Sequence, residues 1–275
     1  MLALLHRLPT AVGVRGSAMS TQDEPGGGAG GSKAVAFSGT SLSEKVFELL
    51  SKSEYRRCDK GEDLEDIYRL RYKAFRSSDM VSDNISHTIS DELDEVPNVY
   101  RFGVYVEQRL VGTMRIHHVT LETPLSPSTK AFGDIIYPML EAGDTFVCMS
   151  RFASDPDWTR VYPQLAYVTL RLAGMACFYF QAPYGLSTVR EDHAGFYRRV
   201  YYSEQISELR SYPGIQRRVV LFRTDAYANR DRYYARFPFF RSTAAERRML
   251  FAPPEPGELA PLTILPTAKY FREAA

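Results

Sequence analysis

The chain has 275 residues, 44% of them hydrophobic and 24% charged, with a formal net charge of +1. That balance excludes a disordered chain, and the length fits one domain of about 200 residues with loose ends. No run reaches the roughly 18 apolar residues of a membrane span, and three cysteines (Cys58, Cys148, Cys177) cannot all pair and show no metal-ligand spacing. The expectation is a cytoplasmic protein in a reducing compartment, with no integral membrane segment and no metal site.

Residues 1–18 hold two Arg, one His and no acid, and Met19 follows. An over-long start with Met19 as initiator and a short targeting signal are both open readings. Pro25 and five glycines then crowd residues 21–32, so residues 1–40 are expected to form a disordered tail outside the fold.

The folded part is expected over 41–225. Ser43–Leu50 reads as a short helix and Glu54–Asp59 as a first strand. From Glu62 to Phe75 the apolar residues Leu64, Ile67, Leu70 and Ala74 fall at helical spacing. Acids load the first turns of this helix and Arg69, Arg71, Lys73 and Arg76 load the last, as the helix dipole favours. Ser77–Asn98 is polar and irregular, long enough for a functional loop. Tyr100–Val106 and Leu110–Val119 read as a β-hairpin, Lys130–Leu140 as a helix and Thr145–Ala153 as a strand followed by an Asp155-Pro156-Asp157 turn. Tyr162–Phe180 reads as one long core helix, with Gly174 where a strand approaches closely. A strand at Gly185–Val189, a helix at Asp192–Val200 and strands at Ile206–Leu209 and Arg218–Phe222 around Pro213-Gly214 complete the order. This is an α/β (α+β) pattern, a mixed central sheet flanked by helices. Residues 226–275 form an Arg- and Tyr-rich C-terminal extension ending in a Pro-rich tail, Pro253–Pro266.

Charge is unevenly spread. Residues 61–100 carry four Lys/Arg against ten Asp/Glu, whereas residues 195–250 carry twelve Arg against five Asp/Glu. No nucleic-acid motif accompanies the basic half, so an acidic protein partner and plain solvated helix faces are the two readings left for it.

The element order is that of the GNAT acyltransferase fold. Leu70-Arg71 with Phe75, Asp91–Asp94 with Asn98 and Tyr100, Val111–Arg115 and Ser150–Ala153 resemble, in order and spacing, the acyl-homoserine-lactone (LuxI-type) autoinducer synthases of bacteria. His193–Arg199, followed by Tyr212-Pro213-Gly214 and Val219–Leu221, resembles the FeeM-type N-acyl amino acid synthases of the same superfamily. The resemblance covers about 54–225 and implies an N-acyltransferase. Its substrates would be a medium or long acyl thioester on the phosphopantetheine arm of acyl carrier protein and the amine of an amino acid, with no permanently bound cofactor.

Amide formation from a thioester needs an amine held against the carbonyl, an exit for its proton and donors for the developing oxyanion. Asp91 and Asp94 can converge on one cleft, which Arg71, Arg115 and Arg151 reach only through the fold. The resemblance makes these five a charged cluster that shapes the active site, and an amino-acid carboxylate suits an Arg fork. A structural salt-bridge network is the competing reading. The resemblance makes Tyr197 the acid that protonates the leaving thiolate, with packing as the alternative.

Where the lactone synthases carry an acid three residues before the strand arginine, this chain has Cys148, a poor base when buried and neutral. That departure argues against lactone synthesis and leaves Asp91, Asp94, His117 or a water chain as the base. Cys148, Trp158 and His193 are secondary candidates for substrate contact, each with a packing alternative. A non-catalytic acyl-carrier or lipid-sensing module is the reading from another class. Acetyl-CoA enzymes of this fold usually carry a glycine-rich pyrophosphate loop, and Trp158–Gln164 contains no glycine. A carrier-borne donor needs no such loop.

Overall fold

The structure, a computed structural model, describes residues 41–212, 215–257 and 259–274. The expected N-terminal tail and the Pro213-Gly214 turn lie outside them. Helix α1 (Leu42–Ser51) opens on a reciprocal Ser41–Glu44 capping box. Strand β1 (Ser53–Arg57) leads to α2 (Gly61–Arg76), which buries Ile67, Leu70, Arg71, Ala74 and Phe75 along one stripe. A 3-10 turn at Glu92–Asp94 precedes β2 (Val99–Val106) and β3 (Arg109–Val119). Their hairpin turns on Glu107 and Gln108, both at positive φ, the right-twisting geometry that two-residue hairpin loops need.

Ser126 caps α3 (Pro127–Glu141), with Pro127 in its first turn, where a missing N–H costs least. Strand β4 (Phe146–Ser154) is followed by α4 (Pro156–Val161) and α5 (Leu165–Phe180). Two expectations are corrected here. Asp155 starts α4 as its N-cap, accepting from the Asp157 N–H, and the long helix is split because Pro163 keeps Tyr162 out of helical geometry. Strand β5 (Tyr184–Arg190) leads into α6 (Ala194–Tyr201), β6 (Glu204–Gln205), β7 (Arg210–Tyr212) and β8 (Ile215–Asp225). The expected strand Ile206–Leu209 is the link between β6 and β7. There the Ser207 hydroxyl accepts from the Leu221 N–H, replacing a backbone acceptor and ending the ladder.

The eight strands form one sheet in the order β1-β2-β3-β4-β5-β8-β6, with β7 also paired to β8. Every pair is antiparallel except β4 with β5. Helix α5 and a large aromatic core cover one face, while α2 and α3 cover the other. Helices α7 (Arg230–Arg236) and α8 (Ala244–Phe251), with the 3-10 turn Pro238–Phe240 between them, put Tyr233, Phe237, Phe239, Phe240, Leu250 and Phe251 into the α5-side core. Buried Arg171 of α5 binds Glu246 of α8 with two nitrogens and donates to the carbonyls of Phe239 and Arg241. Farther on, Ile264 exchanges two backbone hydrogen bonds of 2.9 Å with Tyr55 on the outer edge of β1.

Candidate active site

The parallel pairing of β4 and β5 runs from Phe146–Tyr184 to Met149–Ser187 and stops, although both strands continue. Beyond that rung β4 carries one extra residue against β3, since Thr113 faces Ala153 while Arg115 faces Ser150. The bulge holds Arg151 at φ +50°, a left-handed conformation that a non-glycine residue adopts only at some cost. The strands part, and a cleft of about 1240 Å³, including its open mouth, fills the gap. Arg115, Arg151, Arg190, His193 and Tyr197 are among its lining side chains.

The five charged residues singled out in the sequence meet at this cleft's wall, in two layers. In the inner layer Arg71 and Asp94 are fully buried and bonded, with Arg71 Nη1 2.9 and 3.1 Å from the two carboxylate oxygens. In the outer layer Asp91 accepts from Arg115 and from Arg151. Arg115 ties the layers together, donating from Nε to Ser150 at 3.1 Å and lying 3.0 Å from Asp94. The acids are placed by a local device. Asp91 caps the 3-10 turn through the Leu93 N–H, and Asp94 accepts from the Asp91 N–H in return. Three guanidiniums against two carboxylates leave one positive charge in excess.

Electrostatics follow from the burial. Burial alone would raise the Asp91 carboxyl, but the hydrogen bond and charge of Arg115, joined by Arg151, outweigh it and hold Asp91 well below the usual carboxylate range. Burial lowers the Arg71 guanidinium to about 10, against the pull of Asp94. His117 lies 2.9 Å through Nε2 from the Leu93 carbonyl and is pushed down to about 4, chiefly by burial. It fastens the turn and is not part of the cleft lining.

The remaining candidates divide. Tyr197 and His193 line the cleft, and burial raises the Tyr197 phenol well above its ordinary range, so it stays protonated. Cys148 lies behind the wall in the α3-side core, its thiol raised by burial and 3.0 Å from the Ser128 hydroxyl, which in turn is 3.0 Å from Thr188. Trp158 stacks on Tyr162 and lines neither the cleft nor the second cavity. Neither residue is therefore placed for substrate contact. Strand alternation sends Cys148 to the sheet's packed face, and the indole is taken up by its helical neighbour.

A second cavity of about 540 Å³, its open mouth included, lies on the α5 side of the sheet. Its walls are apolar: Val147, Ala173, Gly174, Cys177, Phe178 and Leu186 among others. Met149 and Ser187, the last parallel rung, line both cavities, so the two chambers meet where the strands part. No periodicity in the sequence signals this chamber, because its walls come from helix, strand and C-terminal segment together.

The family model described as FeeM, N-acyl amino acid synthase, matches residues 66–225, more than half of the chain. The chain belongs to the FeeM N-acyl amino acid synthase family. The solved structure of FeeM, an N-acyl amino acid synthase from uncultured soil microbes, superposes at a TM-score of 0.55 with 15% identity, covering 65% of this chain and 93% of that one. The AHL synthase LasI gives 0.46 at 14% identity over 63% and 89%, and BjaI, a CoA-dependent acyl-homoserine lactone synthase solved with SAM and isopentyl-CoA, gives 0.45 at 14% over 63% and 81%. No curated protein matches. Membership in the FeeM family makes the chain an N-acyltransferase on a GNAT-like mixed sheet, drawing its acyl group from a thioester. Among the described residues, no helix is long and apolar enough to cross a membrane.

Proposed function

We propose that the enzyme transfers a medium or long fatty acyl group from an acyl carrier protein thioester to the amine of an amino acid, releasing an N-acyl amino acid. The observation that carries this reading is the junction of the two chambers at Met149 and Ser187, one charged and one apolar. The acyl chain occupies the apolar cavity on the α5 side, whose walls offer it aliphatic and aromatic contact. Its carbonyl then lies at the rung, beside the charged wall. The excess positive charge of the cluster, through partly exposed Arg151, receives the acceptor's carboxylate and sets its amine against the thioester.

The amine nitrogen forms its bond to the carbonyl carbon as the carbon–sulfur bond breaks, and the thiolate takes its proton from Tyr197, which regains one from water. Asp91, held ionised by two arginines, and Asp94, sealed from the cleft, serve as positioning residues and not as the base. The amine's proton passes to water and His193, the histidine of the cleft wall. Support for a carrier-borne donor is the lack of glycine between Trp158 and Leu165, with exposed Arg198, Arg199, Arg217 and Arg218 offering an acidic carrier a docking charge. Three buried free cysteines fit a cytoplasmic setting.

Expression in a bacterial host followed by mass spectrometry of lipid extracts tests the reading. N-acyl amino acids are expected. Acyl-homoserine lactones would replace the acceptor, and tight carrier binding without any new lipid would reduce the protein to a binding module. Purified enzyme given acyl-carrier-protein and acyl-CoA donors side by side should prefer the carrier, and preference for acetyl-CoA would overturn the donor assignment.

A further inference from the structure

The apolar chamber is not closed by the part of the chain that matches the family. From the shared rung at Met149 and Ser187 it runs down β5 past Leu186 to Gly185. Sheet register sets Ser187 opposite Phe222, Gly185 opposite Thr224 and Tyr184 opposite Asp225. Register carries the lining on to Asp225, and Ala226, Asn229 and Tyr233 of the following segment complete the wall. Three of these four lie beyond residue 225, where the family match ends.

Tyr233 is the largest of them, and its place is fixed. Its ring stacks on Phe240 at 4.5 Å between centroids and lies 5.7 Å from Tyr201, which also lines the chamber. Its hydroxyl points toward the long helix at Gly174. A β-carbon built on Gly174 would have that oxygen as its nearest neighbour, at 3.8 Å. The sequence expectation of a strand close to Gly174 is corrected by this contact. A β-carbon there would meet that hydroxyl at ordinary contact distance and nothing else within 4 Å, so no strand crosses tightly at Gly174.

We infer that the C-terminal segment is the gauge of acyl-chain length: Tyr233, held by Phe240 and Tyr201 and facing Gly174, forms the stop against which the distal end of the acyl chain rests. The inference rests on the acyl-pocket assignment made above and adds to it a residue that selects among substrates. Removing the ring deepens the chamber, and filling the space at Gly174 shortens it, so the two changes act in opposite directions on one quantity.

The test measures binding of octanoate, dodecanoate and hexadecanoate to the full-length protein by calorimetry, alongside the chain-length distribution of the lipid products. In Tyr233→Ala the affinity ratio of hexadecanoate to octanoate should rise by about tenfold, the effect of roughly two further buried methylenes. Gly174→Leu should lower the same ratio, and Tyr233→Phe, which keeps the ring, should leave it unchanged. A folded Tyr233→Ala protein with the wild-type ratio overturns the gauge. If Tyr233→Ala does not fold, Gly174→Leu decides alone, since an unchanged ratio there also overturns it. Wild-type protein that binds none of the three acids removes the acyl-pocket reading itself, a different failure from a shifted or unshifted ratio.

Discussion

Two buried arginine–carboxylate networks lie on opposite faces of the sheet, and they are built to different standards. On the α5 side, Arg171 spends three nitrogens on Glu246, Phe239, Arg241 and the Met175 sulfur, while Glu246 also accepts from the Thr267 N–H and hydroxyl. Its charges cancel one to one and nothing around it is open. On the α2 side, Arg71 leaves Nε and Nη2 without a hydrogen-bond partner among the described residues, positive charge is in excess, and the outer members reach a cleft. Burying charge is costly wherever it is done. A saturated pair fastens one segment to another, whereas an unbalanced cluster beside a cavity is arranged for an anion that arrives later.

If the saturated network is a staple, cutting it should have the largest effect on stability. Glu246→Ala leaves Arg171 buried without a counter-ion and should lower the unfolding free energy by roughly 3–5 kcal/mol, read from urea denaturation. Replacing both partners together by Leu and Met should recover most of that loss. A single variant that unfolds like wild type would erase the contrast.

The open network should be the one that acid finds first. His117, neutral in the folded protein with a pKa of about 4, relaxes to an ordinary value of 6.5 on unfolding. Between those values the unfolded chain binds a proton that the folded one does not, so stability falls as pH drops through that window. The total is on the order of 3 kcal/mol. His117→Gln should flatten the pH dependence of the urea midpoint over pH 6.5 to 4, and the same slope in both proteins would assign the acid lability elsewhere. Asp91, with its pKa held below the carboxylate range, adds stability above about pH 4 that is lost only in stronger acid.

Activity should separate the networks next. Asp91→Ala should cost about 10²-fold in acyl transfer by releasing Arg115 and Arg151 from their positions, with a smaller loss of stability because Asp91 is partly exposed. Equal turnover in a folded Asp91→Ala protein would make the open cluster a second staple. The smallest effect is expected at Cys148. Cys148→Ala should keep turnover within about threefold and lose about 1 kcal/mol of stability, since the thiol packs against α3 and serves no proton transfer.

The sequence was most informative where physics is local. The acid-to-base gradient and apolar stripe of α2, the hairpin and the Asp91–Asp94 spacing all depend on neighbours a few residues away, and the structure carries them through. The convergence of Arg71, Arg115 and Arg151 came from resemblance, since residues on a helix and two strands meet only through sheet order. What escaped is non-local or irregular. Arg171 and Glu246 are 75 positions apart, so no window holds both. The left-handed Arg151 has no glycine to announce it, and Ser207 interrupts a strand with a single hydroxyl. The aromatic residues after 225 escaped because they fill a core whose shape other elements decide.

The contact of Ile264 with Tyr55 has a practical consequence. Strand β1 ends the sheet, and an unpaired row of N–H and carbonyl groups is a template for another molecule's strand. Ile264 occupies that row at Tyr55. A chain cut after Asp225, at the natural end of the family match, would bare the sheet's border and Arg171's charge at once. It would be recovered as aggregate, and the shortest version of this enzyme that remains dispersed in water must extend past Thr267.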